Sequence, residues 1–374
     1  MKKLKVVTIV GTRPEIIRLS RLIPKLDQYT DHVLVHTGQN SDPMLNDVFF
    51  DDLELRKPDY FLDVDTSSMG SVMGDTIKKS EEVLLKEKPD AVMILGDTNS
   101  SVAAIVAERM HIPVYHMEAG NRSFDANVPE ELNRKMVDHV ASFNLPYNEH
   151  SRRNLISEGL NPRFIYVTGS PLREVIESNL AKIKSSTVLS RLGLKKDEYF
   201  LVSAHRQENV DPSERLESIV ACLVAVRDEW SLPIIVSTHP RTKKRLEELG
   251  LTKIEGVSFH APLGYLDYNN LQLNSRSVIS DSGTLAEEAA ILGFSAVSLR
   301  DSTERPEALE RGTLVLSGLT PDSVLNALRV TKDLGFAESM DDGYAVRDFS
   351  DKVIKLLFST SDKVASWRGV RRFK

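Results

Sequence analysis

What this sequence lacks narrows its function first. Only one cysteine is present, Cys222, so no internal disulfide can form. It sits in an apolar helical stretch and reads as core rather than as a nucleophile. No segment approaches the roughly 20 apolar residues that span a bilayer. The opening MKKLKVVTIVGTRPE places lysines before an apolar run, but that run, Val6–Val10, ends at Gly11 and Arg13. It is too short for the core of a secretory signal, so a cytoplasmic location without membrane insertion is expected. Aromatics are 6% of the chain and the formal net charge is −6. A nucleic-acid binder usually shows a basic surplus or stacking aromatics, and neither is present. The basic end, Arg368–Lys374, is short and reads as a solvated terminus. His111, His116, His139, His205 and His239 are scattered without metal-ligand spacing, so no metal site is expected. An anionic ligand must then be held by a few placed arginines and helix N-termini rather than by a general positive field.

The 374 residues, 41% apolar and 27% charged, suit a globular protein of two domains. Apolar strands, polar or glycine turns and amphipathic helices alternate throughout. Strands are predicted at Lys5–Val10, His32–His36, Ala91–Leu95, Pro113–Met117 and Phe164–Thr168. A second set follows at Tyr199–Ser203, Pro233–Ser237, Val257–Phe259, Ser277–Ser280 and Ala296–Leu299. Helices are expected after Pro14 and near residues 70–87, 100–110, 129–142, 213–228, 240–248, 284–292 and 321–331. Pro129, Glu130 and Glu131 are good helix-start chemistry, and Leu132, Met136 and Val140 repeat at four-residue spacing on one face. Strands covered on both sides by helices imply parallel sheets. The expectation is therefore two Rossmann-like doubly wound α/β domains facing a cleft, with a hinge around Gly169–Pro171.

Six polar clusters fall at the carboxyl ends of these strands, where open α/β sheets bind ligands. Gly11-Thr12-Arg13-Pro14-Glu15 is not a dinucleotide fingerprint, and no redox cofactor is inferred. Arg13 there suits either a phosphate or a surface carboxylate. Asp281-Ser282-Gly283-Thr284 opens a helix, either as a diphosphate cradle or as a plain N-cap. Glu288, a turn later, is placed for ribose hydroxyls. His205 and Arg206, in AHRQEN, favour a phosphate or leaving-group contact. Asp97 and Glu118 follow two strands directly and are candidates for proton exchange, whereas Glu130 and Glu131 alone read as helix-start charges.

Taken together, GTRPE, GDT, EAG, PEExNR, HRxEN, DSGxxxEE and RDxTERPEA, from residue 11 to residue 312, resemble the non-hydrolysing UDP-N-acetylglucosamine 2-epimerases in order and spacing. The resemblance implies a glycosyltransferase-B-like fold, with domains at 1–169 and 170–354 and a C-terminal helix, about 355–374, returning to the first. It also implies a UDP-sugar substrate, a homodimer and no cofactor. Carried over by motif, Arg13, His205, Ser282 and Gly283 contact the diphosphate and Glu288 the ribose. Arg206 and Arg305 support the phosphate side. Asp97, Glu118 and Glu130 surround the sugar, with His205, as the catalytic set.

The chain departs from the usual family pattern in four places. Arg18 stands where lysine is usual, Asn121 replaces a leucine, and Asn121–Val128, which includes Arg122, is shorter than usual. A PGQ-type segment is absent around Asp63–Gly70, which argues against allosteric control by UDP-N-acetylglucosamine. The first three features, with TGQNSDPMLNDVFFDDL, resemble the subgroup that makes UDP-N-acetyl-L-fucosamine from UDP-2-acetamido-2,6-dideoxy-L-talose for capsule and O-antigen. Arg18, Asn121 and Arg122 are then sugar-side residues. The alternatives are UDP-N-acetylglucosamine/UDP-N-acetylmannosamine epimerisation, a glycosyltransferase of the same fold, and a non-catalytic sugar-nucleotide sensor.

Overall fold

The computed structural model describes residues 3–39, 50, 52–335 and 340–370. Most of the segment TGQNSDPMLNDVFFDDL, and the last four residues of the basic end, lie outside them. Contacts divide the chain into two compact units. The first comprises Met1–Arg122, Pro129–Val175 and Asp342–Lys374, and the second comprises Ser123–Val128 and Ile176–Asp341.

In the first unit the strands are β1 (Lys5–Val10), β2 (Asp31–His36), β3 (Tyr60–Phe61), β4 (Ala91–Leu95), β5 (Val114–Met117) and β6 (Phe143–Leu145). They form one sheet in the order β3-β2-β1-β4-β5-β6, with every neighbouring pair parallel. In the second unit β7 (Phe200–Ser203), β8 (Ile234–Ser237), β9 (Val257–His260), β10 (Ser277–Ser280), β11 (Ala296–Ser298) and β12 (Val315–Leu316) repeat the plan. Their order is β12-β11-β10-β7-β8-β9, again parallel throughout. Both are Rossmann orders, and each reverses direction at a switch point, between β1 and β4 and between β7 and β10.

Helices on both faces explain the continuous apolar strands. In the second unit, Phe200 and Val202 pack into one core and Leu201, with the adjacent Tyr199, into another on the opposite face. β4 is buried along its whole length. No helix among the described residues is long and apolar enough to cross a membrane.

Two sequence expectations require correction. Phe164–Thr168 is not a strand of the sheet: Pro162–Phe164 is a 3-10 turn, and Ile165 makes only an isolated bridge to Asn144. The position beside β5 is taken by Phe143–Leu145 instead. The helix Glu130–Val140 forms, but its inward face is Glu131, Asn133, Arg134, Val137 and Asp138, while Leu132 is 63% exposed. The repeat therefore does not mark the buried face: Leu132 points outward and Met136 is half-buried, while Val140 packs beside Val137 on the core, and the rest of the inward face is polar and meets the ionic groups at the ends of β4 and β5.

His36, at the end of β2, is fully buried and stacked on Phe61 with ring centroids 5.0 Å apart. Its Nδ1 accepts from the Gly38 N–H at 3.0 Å, so the neutral ring carries its proton on Nε2. Burial pushes its pKa down from 6.5 to about 4. The neutral ring imposes no penalty above pH 6.5; as pH falls below that, the unfolded chain takes up a proton that the folded one refuses. Stability should therefore fall between about pH 6.5 and pH 4, by up to roughly 3 kcal/mol. Melts of wild type and His36→Phe across this window test it: equal acid losses in both would refute the assignment.

Candidate active site

Each unit carries a constellation at its own switch point. In the first, a buried carboxylate ties the two flanking loops together. Glu15, 1% exposed, accepts from the Gly11 N–H (2.5 Å) and the Thr12 N–H (2.7 Å) after β1. Its other oxygen accepts from Thr98 Oγ1 (2.7 Å) and Ser100 Oγ (2.5 Å) after β4. The Thr12 contact is the capping-box bond of the helix Arg13–Leu19, which places Arg13, half-buried, at its first position.

Asp97 and Glu118 stand on adjacent strand ends. A Cβ added to Gly96 would lie 3.5 Å from Glu118 Oε2, which shows how closely the two turns approach. Asp97 Oδ2 accepts from Arg134 Nε (2.7 Å) and pairs with Arg134 Nη2 (2.7 Å), while Asn133 Nδ2 donates to the Asp97 carbonyl at 2.9 Å. Arg134 also pairs with Glu131 at 3.0 Å. Glu118 adopts φ +66°, a left-handed conformation that costs a non-glycine residue energy and clusters at functional sites. Gly120 follows at φ +81°; a Cβ there would stand 2.3 Å from the Ser151 carbonyl oxygen, so glycine is required. Glu118 Oε2 accepts from Arg18 Nη1 at 2.5 Å, and Asn121 Nδ2 reaches Oε1 at 3.4 Å. Ser151 Oγ fixes Asn121 by donating to its Oδ1 at 2.9 Å.

Glu130, half-buried, opens the helix that brings Asn133 and Arg134 to Asp97. Glu131, which read as a helix-start charge, is instead buried on Arg134. Arg122, expected beside the sugar, has its guanidinium enclosed between Asp138 (2.7 Å) and Glu158 (2.6 Å), so it braces the loop from within. Arg134 and Asn133 were present in the PEExNR pattern but went unassigned, because spacing alone does not show which side chains a helix turns inward.

The second unit repeats the device. Asp281, fully buried, accepts from the His205 N–H (3.1 Å), the Arg206 N–H (3.0 Å) and Asn209 Nδ2 (3.1 Å), joining the ends of β10 and β7. His205 Nδ1 stands 3.4 Å from the same carboxylate, and the imidazole is 43% exposed. Arg206 donates through Nε to the Asp281 carbonyl (2.9 Å) and pairs with Glu304 (3.2 Å), which also holds Arg300 (2.5 Å). Gly283 lies against this group: a Cβ would meet Glu304 Oε1 at 2.9 Å and Arg206 Nη2 at 3.0 Å. Ser282 Oγ shares a hydrogen with Thr284 Oγ1 at 3.0 Å, and Thr284, at the start of the helix Leu285–Leu292, makes no side-chain cap. A start without a cap suits an anion. Glu288 accepts from Gln272 Nε2 at 2.6 Å, and Arg305, 2% exposed, pairs with Glu287 at 2.9 Å. Among the described residues no group of three His, Cys, Asp or Glu is arranged to hold a metal.

Two Rossmann units, each with a parallel sheet and a polar constellation at its own switch point, define a glycosyltransferase-B-like α/β protein. Residues 25–357 match the family described as UDP-N-acetylglucosamine 2-epimerase. The structure of UDP-N-acetylglucosamine 2-epimerase from Rickettsia bellii is 42% identical, with TM-score 0.89, covering 97% of this chain and 98% of that one. The Methanocaldococcus jannaschii UDP-GlcNAc 2-epimerase, solved in complex with UDP-GlcNAc and UDP, is 36% identical with TM-score 0.90, over 95% of this chain and all (100%) of that one. A Pseudomonas aeruginosa UDP-2,3-diacetamido-2,3-dideoxy-D-glucuronate 2-epimerase is 35% identical over 332 residues, 88% of this chain and 92% of its own. The chain belongs to the UDP-N-acetylglucosamine 2-epimerase family and is a UDP-sugar 2-epimerase, an isomerase. The glycosyltransferase and sensor readings are set aside.

Proposed function

We propose that this epimerase converts UDP-2-acetamido-2,6-dideoxy-L-talose to UDP-N-acetyl-L-fucosamine, for capsule or O-antigen. The supporting observation is local. The two single-residue departures from the usual family pattern, Arg18 and Asn121, both bond to Glu118. A substrate change should appear beside the carboxylate that works on the sugar.

The chemistry follows from the residue types. Carbon 2 is weakly acidic, so a carboxylate takes its proton only as the bond from carbon 1 to the UDP oxygen breaks. The C–H electron pair becomes the double bond of a 2-acetamidoglycal, and the charge of the departing UDP goes to Arg13, His205, Arg206, and the Ser282–Gly283 turn, with Arg305 behind it. Glu288 accepts from the ribose. Readdition of the UDP oxygen at carbon 1, with a proton delivered to the opposite face of carbon 2, gives the epimer. Opposite faces call for more than one acid–base group, the part assigned to Asp97, Glu118 and Glu130.

Epimerisation between UDP-N-acetylglucosamine and UDP-N-acetylmannosamine is the second reading, favoured by the activities named for the Rickettsia and Methanocaldococcus proteins. Incubating the pure protein with each UDP-sugar in heavy water, read by NMR at carbon 2, separates the two. The 6-deoxy-L sugar should turn over faster and acquire deuterium at carbon 2. Comparable turnover of UDP-N-acetylglucosamine would overturn the substrate, and unlabelled product would overturn the proton-transfer chemistry.

A further inference from the structure

The residues proposed for proton transfer stand on three separate elements: the turn after β4, the turn after β5, and the helix Glu130–Val140. One side chain outside that set links all three, touching the first turn and the helix directly and the second turn through the helix. His116, the third residue of β5, is 1% exposed. Its Nε2 lies 2.8 Å from the carbonyl oxygen of Gly96, the residue before Asp97. A carbonyl only accepts, so Nε2 carries a proton. Its Nδ1 stands 2.9 Å from Asp138 Oδ1, as an ion pair rather than an aligned hydrogen bond. A bare Nδ1 would set a lone pair against a carboxylate, so this nitrogen is protonated as well.

Asp138 belongs to the helix and is fully buried. It also accepts the Gly120 N–H at 3.1 Å, two residues beyond Glu118, and pairs with Arg122 Nη1 at 2.7 Å. Arg122 in turn grips Glu158 through Nε (2.8 Å) and Nη2 (2.6 Å). Two cations alternate with two carboxylates, a neutral chain, as burial requires. The charged groups facing the imidazole are Asp138 from the helix and Asp97 from the β4 turn, with Arg122 and Glu158 behind Asp138. Burial disfavours a charged ring, yet Asp138 and the Gly96 carbonyl more than offset it and hold the His116 pKa above its ordinary value.

We propose that His116, as an imidazolium, is a positioning residue: it fixes the Asp97 and Glu118 turns against each other and against the helix bearing Glu130. This rests on the proton-transfer roles proposed above. Neither arm alone would do it, since Gly96 anchors only the first turn and Asp138 only the second turn and the helix.

Two variants separate the arms. His116→Gln keeps an amide nitrogen near the Nε2 position, facing Gly96, and His116→Asn keeps one near Nδ1, facing Asp138; both remove the charge. Each should lower kcat by about 100-fold, the scale of a misplacement of about 1 Å. KM and UDP affinity should stay within about twofold, since the proposed diphosphate contacts of the second unit are untouched. Wild-type kcat in either variant would overturn the proposal, as would a loss of UDP affinity in proportion to kcat. Should neither variant fold, ¹⁵N-histidine NMR of the wild-type protein decides, with two slowly exchanging ring protons expected for His116 and a single one at neutral pH refuting it. A wild-type protein that epimerises no UDP-sugar would sink the functional reading instead, and the ring-proton result would stand apart from it.

Discussion

Asp97→Asn and Glu118→Gln should each lower turnover by about 10²–10⁴-fold, the range for a lost general acid–base group, while UDP still binds. The amide introduced at position 97 keeps the size of the carboxylate and one acceptor for Arg134, and the amide introduced at position 118 keeps one for Arg18. Each change therefore removes proton exchange more than shape. Turnover followed by NMR, beside calorimetric titration with UDP, makes the test. Near-normal rates in both variants would take these residues out of the proton-transfer role. A parallel loss of UDP affinity would place them at the nucleotide instead. Glu118 carries the additional expectation of strain, since its left-handed backbone persists only while Gly120, Arg18 and Asn121 hold the turn.

The second large effect is expected at Asp281. Asp281→Ala strands the His205 N–H and the Arg206 N–H, while the Asn209 amide keeps the Leu299 carbonyl as an acceptor. Each stranded buried donor costs about 1–3 kcal/mol. At about 2–4 °C per kcal/mol for a unit of this size, the second unit should melt at least about 4 °C lower. UDP affinity should fall as well, because His205 loses the partner of its Nδ1. Asp281→Asn, which keeps one acceptor, should lie between. Differential scanning calorimetry with and without UDP reads both quantities. An unchanged melting temperature would refute the bracing role of Asp281, whereas a lowered one with unchanged UDP affinity would detach His205 from the diphosphate.

Much of the architecture was legible because it rests on local pattern. Buried strands show as β-branched or apolar runs, interrupted in Lys5–Val10 only by Lys5 and Thr8 and unbroken in Ala91–Leu95, and the turns after them carry glycine and charge. The short strands β3, β6 and β12 were not legible. Two or three residues cannot show a period, and only the neighbouring strand gives them their place. The helix Glu130–Val140 misled in part for a related reason: burial follows what a helix packs against, and here its C-terminal valines meet the core while Glu131, Asn133, Arg134 and Asp138 meet ionic groups. The same limit hid Glu15 and Asp281, which sit in recognised turns but drew no role of their own, and His116, which read as a scattered histidine.

From order and spacing of motifs, the amino-acid sequence by itself determined the family, the alternation of strand and helix, and which turns carry reactive groups. Strand alternation and turn chemistry are written in neighbouring residues, so they survive reading in one dimension. The tertiary structure alone decided the partners: that Arg134 reaches Asp97, that Arg122 is enclosed between Asp138 and Glu158, and that Glu15 and Asp281 lock the two switch points. Those contacts join residues 4 to 85 positions apart, and a charge acquires its role only from the partner that folding brings within about 3 Å of it.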